Sequence, residues 1–107
     1  MQKVISIGLA LTLRPNCYEE YKRRHDELWP ELTQVMRECG VSMVIYRFEN
    51  HLFIHETVPS QEALDRMSKH PIGPRWDAYM AEVVETDAAG IPIRQKLPLS
   101  FAFGDFA

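Results

Sequence analysis

Bulky and small side chains alternate along residues 3–13, at the start of the chain. One parity holds only large aliphatic residues: Ile5, Ile7, Leu9, Leu11 and Leu13. The other parity is mostly small: Val4, Ser6, Gly8, Ala10 and Thr12. Because side chains in a strand point alternately to opposite faces, this pattern predicts a β-strand. We expect its bulky face to pack on helices, and its small face to allow the close approach of another group.

Apolar positions then recur every three or four residues over 17–39, which predicts an amphipathic helix. Asn16 is a candidate N-cap with Glu19 at N3, and Gly40 is a candidate residue just past the C-terminus. Pro30 lacks a backbone N–H, and its ring clashes with the preceding turn. The helix is therefore expected to kink or restart there, with Pro30 as N1 of the second half.

Residues 41–48 and 51–58 are rich in β-branched and aromatic side chains, and Glu49-Asn50 lies between them. This pattern predicts a β-hairpin with a tight turn. A helix is predicted to start at Pro59-Ser60, with Ala63, Leu64 and Met67 facing inward.

Two further elements are predicted near the end of the chain, a helix over 74–85 and a strand over 92–103. The resulting order β-α-β-β-α-β predicts a single α+β domain, a ferredoxin-like antiparallel sheet with helices on one face. An apolar face opposite the helices also needs a cover. In a chain of 107 residues a second copy of the sheet is the natural one, so a homodimer is expected.

The composition is that of an ordinary globular domain, with 46% hydrophobic residues, 25% charged residues and a net charge of −3. The densest basic cluster, 22–24, is flanked by acids, so we predict a solvated helix face and no nucleic-acid partner. The apolar run 4–13 is too short to cross a bilayer and precedes no cleavage site, so no membrane partner is expected. Cys17 and Cys39 form no C-x-x-C motif and are expected to be free thiols in a cytoplasmic protein.

His25 is the main candidate for chemistry, because it lies on the predicted inward stripe between Tyr21 and Trp29. The pattern leaves two interpretations open, a core histidine satisfied by a carbonyl or a titratable group in an aromatic pocket. Other aromatics lie on elements able to converge on it: Tyr18, Tyr46, Trp76 and Tyr79. Aromatic faces with hydrogen-bonding tips suit a sugar. The sequence contains no metal-ligand cluster, phosphate-binding loop or nucleophile elbow.

Three motifs resemble the L-rhamnose mutarotase family: Y-x-x-R-H-x-x-x-W-P-E-L at 21–32, I-Y-x-x-x-N-x-L-F at 45–53 and R-W-x-x-Y-M at 75–80. The resemblance extends from the first strand to the closing L-P-L-S-F-A-F. It implies a ferredoxin-like fold paired into a dimeric α+β barrel, without a metal or an organic cofactor. It also implies interconversion of the anomers of a 6-deoxyhexose, a small monosaccharide.

The resemblance assigns roles to individual residues. His25 matches the family's proton-donating histidine, Tyr21 a sugar-contacting tyrosine and Trp76 the first of two substrate-facing tryptophans. Met43 replaces a tyrosine of the family pattern, and Asp77 replaces the second tryptophan. With His25 as the catalytic residue, the expected substrate-binding residues are Tyr21, Trp29, Met43, Trp76 and Asp77.

The departures at Met43 and Asp77 leave the reaction class unchanged, but they leave more than one sugar as a possible substrate. The motif M-x-I-x-R-x-x-N-x-L-F at 43–53 is similar to relatives assigned to L-fucose, so L-rhamnose is favoured and L-fucose or another deoxy sugar is the alternative. Mutarotation needs protonation of ring oxygen O5, loss of the anomeric hydroxyl proton and opening of the C1–O5 bond. We expect His25 to be the general acid toward O5 and the base in reverse. The base at the anomeric hydroxyl is open between water, Asp77 and a group of the partner subunit.

Two other classes are compatible with the same scaffold, because this fold hosts many chemistries. One is a cofactor-free monooxygenase or small isomerase of the dimeric ferredoxin-like type, which would consume oxygen with an aromatic substrate. The other is a non-enzymatic binding or dimerisation module, which would show no anomer exchange.

Overall fold

The structure is a computed structural model that describes residues 4–106. Its elements follow the predicted order β-α-β-β-α-β, with each helical segment divided into two helices. The elements are β1 (Ile5–Thr12), α1 (Tyr18–Asp26), α2 (Pro30–Glu38), β2 (Ser42–Phe48), β3 (His51–Val58), α3 (Gln61–Lys69), α4 (Ile72–Met80), β4 (Gln95–Leu97) and a short 3-10 turn (Gly104–Phe106).

The four strands form one antiparallel sheet in the order β2-β3-β1-β4. Ile54 of β3 lies opposite Leu9 of β1 and Ile45 of β2, and these three side chains share the face covered by the helices. Leu11 and Leu13 are buried on the same face, as the alternation in β1 predicts. The α+β ferredoxin-like architecture with helices on one face is therefore confirmed.

The small parity of β1 lies on the other face of the sheet, which we call the open face. There, Gly8 pairs with Leu97 of β4, and a Cβ built on Gly8 would lie 3.5 Å from Leu97 Cβ. Large apolar side chains are exposed on β2 and β3 of this face: Val44, Tyr46, Phe48 and Phe53. Within residues 4–106, no helix lies over them.

The predicted helix 17–39 is fully interrupted rather than kinked. Helix α1 ends at Asp26, and Trp29 has an extended backbone (φ −57°, ψ 131°), as the residue before a proline prefers. Pro30 is N1 of α2, which confirms the predicted restart. The predicted N-cap was wrong: Asn16 has a left-handed backbone (φ 62°), and Cys17 precedes α1 without a side-chain cap.

The C-terminus of α2 closes as predicted, with Gly40 in the left-handed region (φ 70°). Its N–H donates to the Arg37 carbonyl, and the Val41 N–H donates to the Met36 carbonyl. This pair of bonds is the Schellman motif, which satisfies carbonyls that the helix leaves without partners.

The last third of the chain departs most from the predicted boundaries. Ser60 caps α3 by accepting from the Ala63 N–H, as expected for a helix starting there. Helix α4 covers 72–80 instead of 74–85, and the predicted strand 92–103 is reduced to the three residues of β4. Pro98 follows β4 directly and cannot donate to the ladder, which accounts for the end of the pairing.

The buried residues form two clusters. One lies between the sheet and helices α1 and α4, and contains Leu11, Leu13, Tyr21, Leu52, Met80, Val83 and Val84. The other lies around α2 and α3, and contains Leu32, Val35, Cys39, Ala63 and Ile72. Trp76 packs against both clusters, so α4 places this indole where they meet. Both cysteines have free thiols, as predicted. Among the helices of residues 4–106, none has the length and apolarity needed to cross a membrane.

Candidate active site

A cavity of about 200 Å³ lies between the helices and the covered face of the sheet. That volume equals the liquid volume of roughly seven water molecules, which suits a small polar ligand. Its walls are mostly aliphatic side chains from the strands and from all four helices. The polar or charged side chains of the wall are few: Tyr21, His25, Glu56, Asp77 and Arg94, with the indole of Trp76 beside them.

His25 lies in the last turn of α1 and is half-buried. Its Nδ1 is 3.1 Å from the carbonyl oxygen of Tyr21. Since a carbonyl only accepts, Nδ1 carries the hydrogen, and Nε2 is the nitrogen left to exchange a proton. Burial lowers the pKa of His25, while the Tyr21 carbonyl and the charge of Asp26 act in the opposite direction. The neutral ring, with a lone pair on Nε2, is therefore the favoured form near pH 7.

Aromatic rings surround the imidazole. The Tyr21 ring stacks on it at 4.3 Å between centroids, and the Trp76 ring meets it edge-on at 5.3 Å. Trp29 contacts Trp76 edge-on at 5.1 Å and stacks on Tyr79 at 5.2 Å. Burial raises the pKa of Tyr21 to about 12, so its hydroxyl stays protonated and can donate a hydrogen bond.

The structure brings together His25, Tyr21, Met43, Trp76 and Asp77, all of which line the cavity. Trp29 is not among the residues of its wall and instead supports Trp76 from behind.

Tyr18 and Tyr46 do not line this cavity, but together with His25 they line a second cavity of about 200 Å³. Tyr18 packs under the guanidinium of Arg47, whose Cζ lies 3.9 Å from its ring centre. Tyr46 lies opposite Phe53 on the open face, with 68% of its surface exposed.

Sequence reasoning missed two charged residues of the cavity, Glu56 and Arg94. Glu56 is on the helix-facing side of β3, opposite Ile7 and Met43. Its signal was present in H-L-F-I-H-E-T-V, because Glu56 falls on the inward parity of that strand. Arg94 lies within the predicted strand 92–103, but only Gln95–Leu97 of that strand forms, so the predicted alternation does not give the direction of Arg94.

The two missed residues differ in their partners. Arg94 Nη2 donates to Asp77 Oδ1 at 2.5 Å, so Asp77 is held as an ion pair. Burial raises the pKa of Glu56, and the positive charge of Arg94 partly offsets that effect. The cavity therefore combines one paired carboxylate, one guanidinium, one desolvated carboxyl and one imidazole on mostly apolar walls.

The family model for L-rhamnose mutarotase matches residues 6–102. The chain belongs to the L-rhamnose mutarotase family. It is 36% identical over 98 residues to the L-rhamnose mutarotase of Verminephrobacter eiseniae, covering 89% of this chain and 92% of that one. It is 34% identical over 97 residues to that of Rhizobium johnstonii, covering 88% and 92%. The crystal structure of an L-rhamnose mutarotase from Formosa agariphila aligns over 94% of this chain and 99% of its own, with a TM-score of 0.79 and 27% identity.

In this member of the L-rhamnose mutarotase family, the arginine before His25 fixes α1 against α4. Arg24 Nη1 donates to the Tyr79 carbonyl at 2.5 Å, its Cζ lies 4.0 Å from the Tyr79 ring centre, and Nη2 lies 2.9 Å from Glu82. Only 10% of its side chain is exposed. The predicted solvated face is thus right for Lys22 and Arg23, which are exposed, and wrong for Arg24.

A larger cavity, about 330 Å³, lies on the open face between β1, β3 and the segment 97–106. Its polar side chains include Ser6 and His55, joined by a hydrogen bond of 2.8 Å, and no carboxylate side chain from residues 4–106 lines it. The smaller cavity is the candidate active site, because it combines an imidazole and two carboxyl groups with aromatic rings.

Proposed function

We propose that this protein is an L-rhamnose mutarotase, an isomerase that interconverts the α and β anomers by acid/base ring opening and reclosure. The observation that carries the proposal is the environment of His25. This histidine lines a sugar-sized cavity in a chain of the L-rhamnose mutarotase family, with Nδ1 engaged by a carbonyl and Nε2 left for proton exchange. A neutral imidazole with a free Nε2 is a good general base near neutral pH.

The proposed reaction begins with removal of the anomeric hydroxyl proton by His25 Nε2 while ring oxygen O5 is protonated. The C1–O5 bond breaks, O1 becomes the aldehyde oxygen, and rotation about C1–C2 exposes the other carbonyl face. Reclosure returns each proton and yields the other anomer. Because burial favours the neutral ring, His25 acts first as base and then as acid. The opposite order, with a protonated ring donating first to O5, becomes more populated as the pH falls.

The walls of the cavity suit a 6-deoxyhexose. Trp76 and Tyr21 offer aromatic surfaces to the C–H face of a pyranose, and their position next to His25 orients the ring for proton transfer. The apolar part of the wall can receive the C6 methyl group of such a sugar. A hydroxymethyl group there would lose its hydrogen bonds to water. This part of the wall consists of Leu28, Leu32, Met36, Met43 and Met67. Trp29 contributes by holding Trp76.

L-fucose or another deoxy sugar is the second candidate substrate. The observation that favours it is the Asp77–Arg94 pair, which presents hydrogen-bonding groups where the family pattern has a tryptophan. Met43, by contrast, removes a hydroxyl group, because the family pattern has a tyrosine at this position. A sugar with a differently placed hydroxyl would gain the contacts with Asp77 and Arg94.

The test is anomer exchange measured by magnetisation-transfer NMR on L-rhamnose, L-fucose and common D-aldoses. We expect exchange above the uncatalysed rate with a 6-deoxyhexose, and a loss of most of that excess in His25→Ala. Lys22→Ala is the matched control, because Lys22 is exposed on the same helix. Wild-type protein without exchange on any sugar would exclude the function. Full exchange in a folded His25→Ala variant would exclude the role of His25.

We further propose that the protein is a homodimer formed through the open face. Monomeric proteins rarely expose an apolar patch as extended as that formed by β2, β3 and the segment after β4. Phe48 on β2 and Phe101 and Phe103 beyond β4 are each more than half exposed. We expect twice the mass of the 12.4 kDa chain in analytical ultracentrifugation, and the monomer mass for Phe48→Lys. The control is Gln34→Lys, which adds the same charge at an exposed position of α2 and should stay dimeric. A wild-type protein that is monomeric at micromolar concentration would refute the proposal.

A cytoplasmic location is also proposed, supported by the two free thiols, Cys17 and Cys39. Alkylation of cells before lysis, followed by fractionation and mass spectrometry, tests it. We expect alkylated Cys17 in the cytoplasmic fraction. Recovery in an extracytoplasmic fraction would contradict the proposal.

A further inference from the structure

Glu56 is a carboxyl group placed where an antiparallel strand would ordinarily present an apolar side chain. Its inward neighbours along β3 are Leu52, Ile54 and Val58, and its partners across the sheet are Ile7 and Met43. The side chain therefore points from the sheet into the cavity whose opposite wall carries His25. Such a carboxyl group costs desolvation energy, which a purely structural position would avoid with a valine or leucine.

No hydrogen bond or ion pair with any group of residues 4–106 satisfies this carboxyl group. In the same cavity, by contrast, Asp77 is held by Arg94 at 2.5 Å. Because Asp77 is already engaged by this guanidinium, it is less available to a ligand. Glu56 is the carboxyl group of this cavity whose oxygens are left for a ligand.

We propose that Glu56 is the second proton-exchanging residue of the active site, donating to ring oxygen O5 while His25 accepts the anomeric proton. The proposal rests on the proposed mutarotase function. It gives Glu56 the place at O5 that the sequence assigned to His25, and it gives His25 the place at the anomeric hydroxyl that was open between water, Asp77 and a partner group. It assigns the acid and the base to opposite walls of one cavity, with the sugar between them.

The step balances without a further reactant. On opening, the Glu56 carboxylic proton moves to O5, the C1–O5 bond breaks, and the electrons of the O1–H bond form the C1=O1 double bond as Nε2 of His25 takes its proton. The pair then consists of a carboxylate and an imidazolium. On reclosure, O5 attacks C1 and returns its proton to Glu56, while His25 returns a proton to O1. The enzyme regains its starting state with either anomer as product.

Burial acts on both groups in the direction that this order requires. It raises the pKa of Glu56 and lowers the pKa of His25, so each shift is toward the form that donates from the carboxyl or accepts at the imidazole. The other titratable or charged groups of the cavity are Tyr21 from α1, Asp77 from α4 and Arg94 before β4. The positive charge of Arg94 opposes the rise at Glu56, and Asp77 partly neutralises that charge.

The first test compares Glu56→Gln with wild type by anomer-exchange NMR on the sugar that wild type turns over. Glutamine keeps the shape but cannot donate a carboxylic proton, so kcat should fall by about 10²-fold, with KM changed less than about threefold. Glu56→Asp keeps the chemical group and should retain more activity than Glu56→Gln. Glu38→Gln, at an exposed position of α2, is the control and should leave kcat unchanged. Equal kcat in Glu56→Gln and wild type would overturn the proposal.

The second test is the pH dependence of kcat, which a merely structural role would not move. Wild type should give a bell-shaped profile whose limbs report the pair as a unit. If Glu56 donates first, its substitution by Gln removes the alkaline limb. Loss of the acid limb instead would overturn the assigned direction, and an unchanged profile would overturn the role.

A measurement on wild type keeps the proposal testable if the variants fold poorly. We expect the midpoint of the ¹³C chemical-shift titration of the Glu56 carboxyl to move when the sugar saturates the protein. The same midpoint with and without the sugar would overturn the proposal. The two failures are separable, because absent wild-type exchange rejects the mutarotase function itself. Wild-type exchange that survives in Glu56→Gln rejects only the role of Glu56.

Discussion

Arg24→Met is the substitution that tests most directly how the active site is held together. Methionine keeps much of the aliphatic stem of the arginine while removing its guanidinium. The variant loses the ion pair with Glu20 within α1. It also loses three contacts outside that helix: the donor to the Tyr79 carbonyl, the contact over the Tyr79 ring and the ion pair with Glu82. These contacts join α1, which carries His25, to α4, which carries Trp76. Both stability and catalysis should therefore decline.

The size of the stability loss follows from the three contacts. A hydrogen bond from a charged donor contributes about 1.5–3 kcal/mol, and a partly buried cation–π contact about 1 kcal/mol. The ion pair with Glu82, whose side chain is 65% exposed, adds less than about 1 kcal/mol. We expect a loss of roughly 3 kcal/mol, a large part of the total stability of a domain of this size. The corresponding fall in Tm is roughly 12 °C.

Arg23→Met is the matched control, because Arg23 is the adjacent arginine, is more than half exposed and forms its ion pairs with Glu20 and Glu27 of its own helix segment. Thermal unfolding by circular dichroism at equal protein concentration should leave its Tm within roughly 2 °C of wild type. Anomer exchange at 20 °C should fall in Arg24→Met and persist in Arg23→Met. Equal Tm values for the two variants would refute the view that Arg24 joins the helices.

Three further predictions concern acid, the cavity wall and a turn. Burial lowers the pKa of His25 in the folded state, so its contribution to stability is present above the ordinary value of 6.5 and is lost as the pH falls. Between pH 7.5 and 5.0 the Tm of wild type should therefore drop more than that of His25→Asn, and equal drops would contradict this. Asp77→Trp restores the family residue and releases Arg94, so kcat/KM for L-rhamnose relative to L-fucose should rise; an unchanged ratio would show that the pair does not select the sugar. Gly40→Ala forces a Cβ to 3.0 Å from Pro59 Cγ at a positive φ, so urea unfolding should show a loss of about 1–2 kcal/mol, and no loss would contradict the strain.

Local chemistry explains why the central elements could be predicted. The period of two in β1 and the hairpin around Glu49-Asn50 depend on residues that are neighbours in sequence, and both appear at the predicted positions. The restart at Pro30 follows from the covalent structure of proline. Asn16 failed as a cap because a left-handed backbone at that position turns the chain before α1 begins.

Contacts between elements explain what the sequence could not predict. The side of α1 on which α4 lies depends on the packing of the two helices, so Arg24 looked like its solvated neighbour Arg23. Arg94 reaches Asp77 from the part of the predicted strand 92–103 that forms no strand, so the predicted alternation did not indicate this contact. Glu56 is different, since its inward parity was visible, but a lone carboxyl on a strand gained meaning only when the cavity opposite it was known.

The tautomer of His25 is set by the main chain rather than by another side chain. The carbonyl that receives the Nδ1 hydrogen belongs to residue 21, four positions earlier on the same helix. Any amino acid that keeps α1 helical offers the same acceptor, so Tyr21→Phe should preserve the orientation of the imidazole. A substitution at position 21 can therefore alter the contacts with the ligand, while the peptide carbonyl of the same residue keeps the hydrogen on Nδ1 of His25. Related proteins with different side chains at this position are therefore expected to differ in substrate and to keep the same histidine tautomer.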